Sequence, residues 1–190
     1  CDTPCALERG HQVSLLSEFF YNGSIRRQAA GWSRSQRRMQ GVTTIYVDAD
    51  ACPVKDEVER VTTRHQLETC LVCDGGIRPS LNPLVQLVVV TQGADAADDW
   101  IADHIGKRDI CVTNDIPLAA RCLKQGAFAI RPNGNIFTDD NIGTALATRA
   151  IKEGIRETGE MTGGPRPFGK ADRSKFLDRM EMIVQEATKL

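Results

Sequence analysis

Short β-branched and apolar runs alternating with helix-period segments constrain this chain more than any other feature. "TTIYV" (43–47), "LETCLVC" (67–73), "LVQLVVV" (84–90) and "DICVT" (109–113) each read as a buried strand. Between them stand segments of helical period. Pro53 sits at a first-turn position, and Val54, Val58 and Val61 then fall on one face. "GADAADDWIADHIG" (93–106) reads as a helix with Asp95 near its start and Gly106 at its end, and "DIPLAARCLKQG" (115–126) as a helix closed by Gly126. "AFAIRP" and "NIFT" flank Asn133-Gly134, a hairpin signal. Two helices follow, over 140–157 and 173–190, joined by a Gly/Pro-rich loop. Alternation of this kind predicts an α/β fold: crossover units around a mostly parallel central sheet, with helices on both faces.

The 190 residues fit one domain with an appendage, and the longest apolar run is far short of the roughly 20 residues a membrane span needs. The formal charge of −1 conceals an asymmetry. Residues 1–38 hold six arginines against Asp2, Glu8 and Glu18; removing these from the 24 basic and 25 acidic residues of the whole chain leaves 18 against 22. That segment has neither helical nor strand periodicity. Met39 is the expected natural start, with 1–38 upstream sequence read as protein or a disordered arm, and 39–190 a single domain. A basic arm gripping nucleic acid is the functional alternative. Seven cysteines form no disulfide framework, and cytoplasmic residence in a reducing compartment is expected. Cys70-x-x-Cys73 has no second pair at zinc spacing and reads as a strand with two small side chains.

Acidic residues gather where ligands bind in parallel sheets, beyond the carboxyl ends of the strands. Asp48 and Asp50 follow the first strand, Asp95, Asp98 and Asp99 the third, and Asp115 the fourth. Asp95 and Asp99 share a helix face at i, i+4, with Asp98 beside them. Capping explains one acid per helix: Asp50, Asp95 and Asp115 all stand near helix starts. It does not explain the surplus. Two carboxylates about 5 Å apart repel by roughly 3 kcal/mol at an effective dielectric near 20, so several ionised in one pocket imply a cation. Oxygen donors without convergent histidine or thiolate suit Mg²⁺ or Mn²⁺. Thr113 could orient an acid or a phosphate. Lys55, Arg78, Arg166, Lys170 and Arg173 are candidate phosphate or substrate contacts, the last three in or beside the Gly/Pro-rich loop. Cys52, ahead of a helix, is a candidate for a lowered thiol pKa.

At "YVDADACPVKDEVERV", "GADAADDWIADHI", "VTNDIPLAARCLKQGA" and "TGGPRPFGKADRSKFLDRM" the chain resembles the YaiI/YqxD family, uncharacterised bacterial proteins assigned to the PIN-like nuclease superfamily. The matches extend from about residue 43 to 180. The resemblance implies a PIN-like three-layer α/β/α domain with an acidic metal pocket. In it Asp48, Asp95 and Asp115 would be the catalytic ligands, joined by Asp50 and by Asp98 or Asp99. The glutamate the resemblance calls for after the first helix has only Glu68, at a strand start, as its nearest equivalent.

Three functions compete. The first is a divalent-metal-dependent phosphodiesterase, a nuclease acting on RNA or single-stranded nucleic acid. The second is a non-catalytic, metal-stabilised RNA-binding or regulatory module. The third is a phosphatase of the haloacid-dehalogenase type, in which Asp48 and Asp50 would be nucleophile and acid–base pair.

Overall fold

The first strand is buried on both faces, as its unbroken apolar run requires: Ile45 and Val47 point to one side of the sheet and Tyr46 to the other. The computed structural model describes residues 42–50, 52–90, 93, 95–157 and 167–189. Its strands are β1 (Thr44–Asp48), β2 (Glu68–Cys73), β3 (Val85–Val89), β4 (Ile110–Val112), β5 (Phe128–Ile130) and β6 (Ile136–Phe137). Its helices are α1 (Lys55–His65), α2 (Ala96–His104), α3 (Ile116–Lys124), α4 (Asp139–Glu157) and α5 (Lys170–Thr188). The expectation for residues 1–38 lies outside the described residues, as does Arg166.

The sheet order is β3-β2-β1-β4-β5-β6. All neighbours are parallel except β5 and β6, the hairpin expected around Asn133-Gly134. Two cores flank it. On one face α1 and α5 bury Val54, Val58, Val61, Phe176, Met180 and Ile183 against Ile45, Val47, Leu71 and Val112. On the other, α2 and α3 bury Ile101, Ile105, Leu118 and Cys122 against Tyr46, Val72, Cys111 and Ala129. The fold is therefore the expected three-layer α/β/α arrangement. Burying one such aliphatic side chain contributes about 1.5–3 kcal/mol, so both layers are held by their apolar stripes. No helix among the described residues is long and apolar enough to cross a membrane.

Helix α1 starts later than its sequence suggests. Pro53 lies in a turn ahead of it, and Val54, the residue before the first helical one, makes no side-chain cap. The link from β2 to β3 carries no helix. It is latched onto α1 instead: Asn82 Nδ2 donates to Thr63 Oγ1 at 2.8 Å and Ser80 Oγ to Glu59 Oε1 at 2.9 Å. Cys70 and Cys73 both lie on β2. Three residues apart on a strand they face opposite sides, so they cannot share an ion or a disulfide.

The strand order fixes where a site can form. From β1 the chain goes to β2 and β3 on one side; α2 then carries it across to β4 on the other. The carboxyl ends of β1 and β4 thus border the point where the order reverses, the place where open parallel sheets bind ligands.

Candidate functional site

Asp48 ends β1 half-buried, and Thr113, fully buried, follows β4. Thr113 Oγ1 donates to Asp48 Oδ2 at 3.0 Å across the switch point and accepts from the Asp115 backbone N–H at 2.9 Å. One hydroxyl therefore fixes both the first acid and the turn that leads into α3. The Thr113 N–H is itself tied to Ile130 of β5 at 3.1 Å, so the pair rests on the sheet.

Asp115 caps α3, as its position suggested. Its backbone is extended, its Oδ2 accepts from the Leu118 N–H at 2.9 Å, and Pro117 fills the first turn. Its other oxygen is bonded by Arg149 of α4, a pairing that raises the arginine pKa. Both oxygens of this carboxylate are thus engaged within the protein.

Asp95 does not cap. It stands at the start of α2 in the left-handed region, φ 66°, ψ 5°, and its side chain makes no capping bond. Aspartate tolerates this conformation better than most residues, but it is a local strain of the kind found around functional groups. Asp50 does not cap either: its Oδ2 accepts from the Asp74 N–H at 3.0 Å, tying the turn after β1 to the turn after β2. Asp98 and Asp99, which the spacing could not separate, part company here. Asp99 is 66% exposed and paired with Arg121 at 2.7 Å, whereas Asp98 turns inward.

Asp48, Asp50, Asp74, Asp95 and Asp98 line one recess of about 220 Å³, its remaining wall made by the small residues Gly93, Ala96 and Ala97. The acids feel one another. Burial, then the charges of Asp115, Asp48 and Asp95, push the Asp98 carboxyl up to about 6, with Arg121 partly opposing them. Asp48 is raised by burial, restrained by the Thr113 hydrogen bond, and raised further by Asp50 and Asp115. The donors are hard oxygens, which suits Mg²⁺ or Mn²⁺. As placed, however, no three His, Cys, Asp or Glu side chains among the described residues stand close enough together to hold an ion. The donor chemistry fits a divalent cation, and the side chains would have to draw closer together to hold one.

Asp74 escaped the sequence reading, which took "DGGIRPSLNP" only as turn chemistry. The signal was present: β2 lies beside β1 in parallel, with Val72 opposite Asp48, so an acid just after β2 belongs to the same edge as Asp50.

The expected cations lie elsewhere. Arg173 spans the buried Glu57 at 2.9 Å, bonds the Pro53 carbonyl at 3.0 Å and stacks over Phe168, so it locks α5 to α1. Lys55 opens α1, Lys170 opens α5, and Arg78 is exposed in the β2–β3 link. None of the four lines the recess. Cys52 is buried among apolar groups, and burial pushes its thiol up to about 11, which overturns the expectation of a lowered pKa.

A family model described as "Uncharacterized BCR, YaiI/YqxD family" matches residues 46–186. The chain is similar to a UPF0178 protein of Rhodopseudomonas palustris, 54% identical over 144 residues that make up 76% of this chain and 91% of that one. It is similar also to UPF0178 proteins of Roseobacter denitrificans, 50% identical over 150 residues (78% and 99%), and of Caulobacter vibrioides, 50% identical over 146 residues (77% and 95%). No solved structure matches the chain.

Proposed function

The chain belongs to the YaiI/YqxD family, and we propose that it is a divalent-metal-dependent phosphodiesterase that cuts RNA or another single-stranded nucleic acid. The observation that carries this reading is the convergence of acids from three separate turns on one small recess at the carboxyl edge of the sheet, where burial first and neighbouring acids second push the Asp98 carboxyl up to about 6. Helix capping accounts for none of them: Asp115, the acid that caps, does not line the recess. Carboxylates that raise each other's proton affinity form a site with a deficit of positive charge.

Asp48, Asp95 and Asp98 would hold the ion, with Asp50 at the rim. When bound, Mg²⁺ or Mn²⁺ would lower the pKa of water and offset charge developing on a phosphodiester. Thr113 holds Asp48 in one orientation, so the acid at the centre needs no reordering. Arg149 neutralises Asp115, which keeps that carboxylate from adding its full repulsion to an incoming phosphate.

The test is cleavage of a 5′-labelled single-stranded RNA oligomer by the full chain with Mn²⁺, with EDTA, and by Asp48→Asn with Mn²⁺. The reading expects products in the first case only. Products that persist in EDTA or with the variant would sink it. A second reading, a non-catalytic metal-stabilised RNA-binding module, draws on the engagement of both Asp115 oxygens within the protein. It expects metal-dependent RNA binding with the oligomer left intact.

A further inference from the structure

A groove of about 880 Å³ runs between the β5–β6 hairpin and helices α4 and α5, and the carboxylate chemistry above leaves it without a role. Five cationic side chains line it: Arg131, Arg149, Lys152, Lys175 and Arg179. Among the described residues they face a single lining carboxylate, Glu153. Glu153 is already bonded by Arg149 Nε at 2.8 Å. On a chain whose net charge is −1, this is a concentrated positive field in a concave surface, and such fields draw anions. The walls are built to persist. Lys175 Nζ donates to Asn135 Oδ1 at 2.6 Å, joining α5 to the hairpin. Lys152 and Arg179 are exposed, and neither has a carboxylate partner among the described residues.

Arg131 gives the second observation. Its guanidinium lies over the Phe137 ring at 4.8 Å, and burial lowers its pKa. Its Nε is buried and has no hydrogen-bond acceptor among the described residues. A buried donor in this state is disfavoured until an acceptor reaches it. The groove and the recess are also linked through Thr113, which bonds Asp48 of the recess and precedes Asn114 of the groove. Asn114, between Thr113 and Asp115, lines the groove, and Arg149 in its wall is bonded to Asp115.

We propose that this groove binds the sugar–phosphate backbone of a single-stranded nucleic acid, Arg131, Lys152, Lys175 and Arg179 taking successive phosphates while a neighbouring phosphodiester meets the carboxylate recess. The proposal rests on the phosphodiesterase reading for what happens to the strand, but not for its binding. Arg, Lys, Asn and Thr are the side chains that hold phosphate and sugar without reading sequence, and Asn141, Thr144 and Thr148 complete the α4 wall. A single strand can bend its phosphates into a groove of this size. A duplex, with a persistence length of about 50 nm, holds its phosphates on a nearly straight path and follows a concave groove less closely.

The experiment is fluorescence anisotropy of fluorescein-labelled rU10 with the full chain in EDTA, at 50 to 200 mM salt. Wild type is compared with Lys152→Ala and Arg179→Ala, exposed positions at which alanine leaves the core untouched. Four phosphate contacts on a single strand predict a slope of about −3 for log K against log salt. Each substitution should shallow that slope by about 0.7 and weaken binding about eightfold at 50 mM. Absence of binding, variants that bind like wild type, or equal competition by duplex RNA or by uridine monophosphate would each overturn the proposal. The two readings fail separately. Groove-dependent binding without Mn²⁺-dependent cleavage sinks the phosphodiesterase and leaves the groove; cleavage that neither variant impairs sinks the groove and leaves the phosphodiesterase.

Discussion

Asp98 shows most plainly what the recess does to a single residue. Its carboxyl is raised to about 6 by burial and by neighbouring acids, against an unfolded value near 3.9. Below the unfolded value it is protonated in both states and contributes no penalty. Above the folded value the charged form is disfavoured in the native state, so stability is lost as pH rises from about 4 to 6. Asp98→Asn should therefore stabilise the metal-free protein at pH 7 by about 1–2 kcal/mol, after allowance for solvent screening, with the gain vanishing by pH 4. Urea denaturation at the two pH values measures this, and an equal effect at both would contradict it. The sequence could not make the choice between Asp98 and Asp99, because adjacent helical residues differ only in which neighbours they meet. Arg121, from a different helix, takes Asp99. Asp95 was legible as the residue before a helix but not as one in the left-handed region. In that conformation its side chain makes no capping bond.

Among the elements, the strands could be read from the sequence because each is an apolar run bounded by turn chemistry, and their ends fell within a residue or so of expectation. Helix starts were less legible. Pro53 suits a first turn, yet the chain leaves β1 by a turn that must first bury Ala49, Cys52 and Val54 in the core, and α1 begins only at Lys55. The groove was not legible at all, because its cations come from a hairpin and two helices separated by up to 48 positions, from Arg131 to Arg179. What brings these elements together is partly one glycine. Gly134 has φ +78°, and a Cβ there would stand 2.8 Å from the Lys175 carbonyl carbon. Gly134→Ala should therefore cost about 1–2 kcal/mol for the left-handed backbone alone, and more for the displaced contact with α5. Thermal unfolding reads the loss. A variant as stable as wild type would mean that the hairpin does not press on α5 as described.

For the molecule as a whole, strand order turns scattered acids into one site. Reversal of the strand order between β1 and its parallel neighbour β4 puts Asp48 and Thr113 within hydrogen-bonding distance although 65 positions separate them. Opposite charge is segregated beside that point, acids in the recess and cations in the groove, with the Asp115–Arg149 pair between. On the proposed reading, such a layout would serve a ligand that carries negative charge along its length and needs a cation at one position. On that reading the recess carboxylates act together on a divalent ion. Calorimetric titration of Mn²⁺ into the full chain at pH 7 tests it, comparing wild type with Asp48→Asn, Asp98→Asn and Asp99→Asn. Wild type and Asp99→Asn should bind alike, and Asp48→Asn and Asp98→Asn should lose binding. If wild type takes up no Mn²⁺, or all four proteins bind it equally, the acids do not form a cation site and the metal-dependent reading falls.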